Sequence, residues 1–84
     1  RTTASGEPLS NSAATAAHRS LPFGTWVKVT NLRNDQSEFV RITDRGPFIR
    51  GRIIDVSRGI GEKLGMINAG VVPTRVEVMA PVGG

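Results

Sequence analysis

Apolar and polar positions alternate along residues 25–30, with Val27 and Val29 on one face of an extended segment and Lys28 and Thr30 on the other. A period of two predicts a half-buried strand. Residues 38–43 alternate again with Val40 and Ile42 on one side, and the polar run 31–36 between the two segments carries turn chemistry, so the pair predicts a β-hairpin. Residues 52–56 are short, β-branched and apolar, which predicts a strand buried on both faces. Ser57 is placed to cap a helix in which Ile60 and Leu64 fall one turn apart, and Gly65 supplies its stop. Residues 70–79 alternate once more, with Val76 and Val78 inward and Arg75 and Glu77 outward. Residues 1–12 carry only Leu9 as a large apolar group and read as loop, while the alanine-rich run 13–17 predicts a turn of helix before His18, ended by Pro22 and Gly24. Several short strands, many turn residues and one small helix predict a mainly β domain, either a compact barrel or a small sandwich.

Composition narrows the chemistry. The 84 residues suffice for one domain with a modest core, read as residues 1–80 followed by a tail at 81–84. Without cysteine there is no disulfide, thiolate metal site or thiol nucleophile, and a single histidine excludes a metal site built on histidines. No apolar run is long enough to span a membrane. The start at Arg1 reads as that of a mature or trimmed fragment, so localisation cannot come from targeting signals. Eleven basic residues against seven acidic ones favour an anionic partner, and most of the arginines cluster between Arg41 and Arg58. The four aromatic residues do not interleave with basic ones, which argues against a stacking platform for nucleic acid.

The stretch from Arg41 to Phe48 runs a strand into Asp44 and then into Gly46 and Pro47, a turn that cannot continue it. Asp44 is therefore presented at a stiff rim, where it serves either as a general acid or base, or as a turn-capping carboxylate that accepts from the amides of Gly46 or Phe48. Arg45 beside it is either a solvated charge or a grip on a polar substrate. The clustered arginines raise a difficulty, because a guanidinium beside Asp44 would keep it ionised whereas a general acid must carry a proton. Either the arginines point away or Asp44 is partly desolvated. His18 reads as a packed imidazole or as a partner of Asp44, and Glu7 as a surface charge or as a second carboxylate facing Asp44 across a cleft. Asp55 reads as a largely buried structural carboxylate near the helix start. No phosphate-binding glycine loop and no serine triad is present.

Five segments in order resemble one family: residues 3–7 (Thr-Ala-Ser-Gly-Glu), 16–24 (Ala-Ala-His-Arg-Ser-Leu-Pro-Phe-Gly), 27–32 (Val-Lys-Val-Thr-Asn-Leu), 41–48 (Arg-Ile-Thr-Asp-Arg-Gly-Pro-Phe) and 51–57 (Gly-Arg-Ile-Ile-Asp-Val-Ser). Together they are similar to the double-psi β-barrel domain of the RlpA-like (rare lipoprotein A) lytic transglycosylases of bacterial envelopes. The resemblance implies a six-stranded double-psi β-barrel with one or two short helices and an open groove for a glycan strand. It implies Asp44 as catalytic acid and base, His18 and Glu7 as the other functional positions, Arg45 and Phe48 as groove contacts, and no metal or organic cofactor. The partner implied is peptidoglycan, met by a monomer of an envelope protein that is periplasmic or anchored in the outer membrane, with no nucleic acid and no membrane contact by this domain. The family's aromatic first strand and its frequent peptidoglycan-binding repeat domain are not in these residues, and Thr43 stands where Asn is more usual. Because the same barrel carries expansin-like modules, a non-catalytic wall-binding domain is the alternative, and a basic DNA-binding barrel is a third.

Overall fold

The computed structural model describes residues 2–8, 10, 12–66 and 71–79. Its elements are β1 (Thr15–His18), β2 (Trp26–Asn31), β3 (Ser37–Asp44), β4 (Ile54–Val56), α1 (Arg58–Lys63) and β5 (Thr74–Val78). The strands form one sheet in the order β4-β1-β3-β2-β5, curled into a half-barrel. Five strands are present among the described residues where six are expected.

The β2–β3 hairpin forms as the alternation predicts. Val27 stands opposite Val40 in an antiparallel ladder, and the intervening turn passes through Asp35 at φ 62°, a left-handed conformation that Asp tolerates. Val27, Val29, Val40 and Ile42 are fully buried, and Ile60 and Leu64 of the helical segment close over them. β1 lies on the other side of β3 and runs parallel to it, so β3 is inserted between two strands that precede it in the chain. That insertion brings the 13–18 segment, the 3–7 segment and the end of β3 together.

Several expectations change. The alanine run forms β1 rather than a helical turn, because it pairs on both sides, Ala16 standing buried between Ile42 of β3 and Val56 of β4. Two ladders outweigh the helical preference of alanine, which amounts to a few tenths of a kcal/mol per residue. Only Ile54–Val56 of the 52–56 run is a strand, and it is an edge strand, so Ile53 and Asp55 are exposed instead of buried on both faces. β5 is the opposite edge: Val76 is half-buried as expected, but Val78 is exposed. Ser57 occupies the N-cap position, where its carbonyl accepts the Gly61 amide at 2.9 Å, but its side chain makes no capping bond; its Oγ donates instead to the Ala13 carbonyl and ties the start of α1 to the approach to β1. Gly65 follows the helix, as predicted. Leu9, Gly70 and the 81–84 tail lie outside the described residues.

Candidate functional site

Asp44 owes its direction to a break in register. Ala16 stands opposite Ile42, but Ala17 stands opposite Asp44, so Thr43 is an extra residue on β3. Simple alternation would have continued Val40 and Ile42 inward to residue 44. The bulge instead sets Asp44 beside Ala17 on the face away from the core, as bulges near sites commonly re-aim a side chain. Beyond it Gly46 takes φ 121°, which a side chain resists, and the chain turns away.

The carboxylate is held by the backbone. Asp44 Oδ1 accepts from the amide of Arg45 at 2.9 Å and from that of Ala4 at 3.0 Å, not from Gly46 or Phe48. Oδ2 has no protein partner among the described residues. Asp44 borders a cleft of about 230 Å³ whose other walls include Thr3, Thr15, Thr43, Asp55 and Ser57. Across β1, Ala17 is also the register partner of Asp55, so two carboxylates flank one alanine. Asp55 was expected to be buried; its side chain is 59% exposed, with Arg52 3.7 Å away. Nothing in the sequence marks Asp55 as a neighbour of Asp44, since the relation exists only through β1.

Glu7 is committed elsewhere. The 3–7 segment closes a tight turn, with Thr3 N donating to the Glu7 carbonyl at 2.7 Å and Gly6 at φ 88°. Arg41 grips the Glu7 carboxylate with both terminal nitrogens, at 2.6 and 2.8 Å, and Ser5 Oγ donates to it at 3.2 Å. The Arg41 hydrogen bonds hold the Glu7 carboxyl below its ordinary range, with help from Ser5 and against a smaller desolvation effect. Asp44 and Arg41, three residues apart on β3, thus pin the two ends of the 3–7 turn.

His18 and Arg45 make a second cluster. His18 Nδ1 accepts from the amides of Ser20 and Leu21, both at 3.1 Å. Burial lowers the imidazole pKa, and the charges of Arg19 and Arg45 lower it further, so His18 is neutral at pH 7. Arg45 Nη1 donates to the carbonyls of Leu21 at 2.9 Å and His18 at 3.2 Å, and its guanidinium lies 3.9 Å from the centre of the Phe23 ring. Phe48 is 77% exposed, its ring beside Gly46.

Three arginines of the cluster point to partners other than Asp44. Arg41 faces Glu7, Arg45 faces two carbonyls and Phe23, and Arg52 faces Asp55. No ion pair reaches Asp44 among the described residues. A second cavity of about 260 Å³, between residues 51–54 and 71–74, has no carboxylate or imidazole in its lining and offers no comparable chemistry. No cluster of His, Cys, Asp or Glu among the described residues is arranged to hold a metal.

Comparison with known proteins places these features in a family. Residues 1–76 match the family model described as lytic transglycolase. A probable endolytic peptidoglycan transglycosylase RlpA from Nostoc sp. is 62% identical over 79 residues, which are 94% of this chain and 21% of the relative. The endolytic peptidoglycan transglycosylase RlpA of Pasteurella multocida is 51% identical over 79 residues, 94% of this chain and 27% of its own length. That of Neisseria meningitidis serogroup A is 46% identical over 81 residues, 96% of this chain and 34% of its own. The chain therefore spans between 21% and 34% of these relatives. The half-barrel and a family match over nearly the whole length agree, and the chain belongs to the double-psi β-barrel family of lytic transglycolases.

Proposed function

We propose that this domain cleaves the β-1,4 bond between N-acetylmuramic acid and N-acetylglucosamine in peptidoglycan, leaving 1,6-anhydromuramic ends, and that it works in the bacterial envelope. The observation that carries the reading is the asymmetry of Asp44. Oδ1 already accepts two amide hydrogens, so a proton on this carboxyl resides on Oδ2, the oxygen left for a substrate at the cleft. One such group suffices for the reaction. The muramic C6 hydroxyl attacks C1, the C1–O bond to N-acetylglucosamine breaks, Asp44 gives its proton to the departing oxygen, and the carboxylate takes the proton of the attacking hydroxyl. No water is consumed and Asp44 ends as it began.

The other residues take supporting parts. Glu7 and Arg41 fix the 3–7 turn whose Ala4 amide orients Asp44, and neutral His18 supplies a hydrogen-bond donor at the end of β1. Phe48 offers an exposed apolar face at the rim for a sugar ring. The periplasm, with outer-membrane anchoring by the longer protein, and a monomeric state are part of the same proposal.

Asp55 favours one competing reading, because two carboxylates on one cleft also suit water-dependent hydrolysis with a second base. Incubation with purified sacculi separates the two by product mass. Muropeptides lighter by one water support transglycosylation, and reducing ends convert the activity to hydrolysis. Asp44→Asn is expected to lower release by about 10²–10⁴-fold while sacculus binding persists. Binding by the wild type with no release at all would leave an expansin-like wall-binding module.

A further inference from the structure

His18 is the chain's one histidine, and the atoms around it leave its protonation little freedom. Backbone amides can only donate, so an Nδ1 that receives two of them, from Ser20 and Leu21, must be the unprotonated nitrogen. The proton of the neutral ring is then on Nε2. Those amides belong to a loop that also closes around Arg45. Arg45 inserts its guanidinium into the loop, donates to the carbonyls at its two ends, His18 and Leu21, and is covered on one face by Phe23. The carbonyls of residues 18 and 21 thus meet Arg45 while the amides of residues 20 and 21 meet Nδ1. The Arg45 amide also donates to Asp44 Oδ1, so one residue contacts both the acid and the loop that carries the imidazole.

We propose that Arg45 is a positioning residue rather than a substrate grip: by holding the 18–23 loop around its guanidinium it locks His18 as the Nε2–H tautomer, a hydrogen-bond donor and not a base. The role of His18 toward substrate rests on the function proposed above; the tautomer and its dependence on Arg45 do not. A neutral ring protonated on Nε2 cannot take a proton at that atom, and its Nδ1 lone pair is already engaged. Both proton transfers therefore stay with Asp44. Lysine cannot replace Arg45: an ammonium keeps the charge and can donate to two carbonyls, as Nη1 alone does here, but it has no planar guanidinium to lie against the Phe23 ring and fix the donor in the loop.

The test is ¹⁵N NMR of the uniformly labelled chain at pH 8, where the two imidazole nitrogens belong to a single residue. In the wild type, Nδ1 is expected at a lone-pair shift and Nε2 at an N–H shift, fully separated, with couplings from Nδ1 to the amide nitrogens of Ser20 and Leu21. In Arg45→Ala and Arg45→Lys the couplings are expected to vanish and the two shifts to converge as tautomers mix. Should Arg45→Ala not fold, Phe23→Leu removes only the ring beneath the guanidinium and is expected to move the shifts part of the way. A proton on Nδ1 in the wild type, or unchanged shifts and couplings in the folded variants, would overturn the proposal. With sacculi, Arg45→Lys is expected to lower kcat by about tenfold to a hundredfold with little change in KM. A KM effect alone would restore Arg45 to substrate binding. Absence of release by the wild type counts against the proposed function only, since the spectra still decide the tautomer.

Discussion

At the level of single side chains, the two oxygens of Asp44 are unequal, and so are the two carboxylates on the cleft. Asp44 is anchored by two amides, whereas Asp55, on an edge strand, meets among the described residues only a long contact from Arg52. A group placed for proton transfer needs a defined position, and Asp44 has the better one. Asp55→Asn is accordingly expected to slow anhydro-end release by no more than about tenfold, through altered sugar contacts, with Asp44→Asn far more severe. Comparable losses for the two variants, with reducing ends as product, would give Asp55 the part of a base. Asp44, His18 and Glu7 were legible as candidates because their segments carry family motifs. Their partners were not: Arg41 with Glu7 and Arg45 with the His18 loop join residues 34 and 27 positions apart, and periodicity carries no information at that range.

Elements were legible where one face alone meets the core. β2, β3 and the Ile60–Leu64 pair follow their patterns because burial of one face and exposure of the other is what alternation encodes. β1 was misread because a run of small residues has no amphipathic signal, even though Ala16 is buried. The turn after β2 hides a further element-scale feature. Asn31 is buried, and its Nδ2 donates at 2.8 Å to the Leu64 carbonyl, which also receives Asn34 Nδ2 at 3.0 Å, while its Oδ1 accepts the Arg33 amide at 2.9 Å. The end of the helical segment is thus sewn to the end of β2. Asn31→Ala is expected to cost about 1–3 kcal/mol in urea unfolding, because it removes two hydrogen bonds of a buried side chain, and the exposed Asn34→Ala well under that. Equal losses would show that the carbonyl is satisfied by either donor.

For the molecule as a whole, pH reports on how the 3–7 turn is attached. Arg41 lowers the Glu7 carboxyl in the folded state, so the unfolded chain binds the proton more readily. The contribution is therefore present above the ordinary Glu value of 4.5 and is lost as pH falls through the lower folded value. Melting temperatures are expected to be higher for the wild type than for Glu7→Gln above about pH 5, with the gap closing in more acidic buffer. His18 adds a loss of the same sign that begins higher, as pH drops below its ordinary 6.5, because the folded state resists the imidazolium. A wild-type advantage that grows toward low pH would contradict the Glu7 assignment.

Local pattern was enough to establish a small mainly β domain, the hairpin, the helical stop at Gly65 and, through five collinear motifs, the family. Hydrophobic alternation and turn chemistry act over a few residues, so a linear reading captures them. Strand order, the bulge at Thr43 that turns Asp44 outward, the pairing of Asp44 and Asp55 across Ala17, and the diversion of every ion-pairing arginine of the cluster to another partner came from the folded arrangement. Each depends on which segments meet in space. That is settled by the joint packing of β1, β3 and β4 around one core, a quantity no single stretch of chain contains.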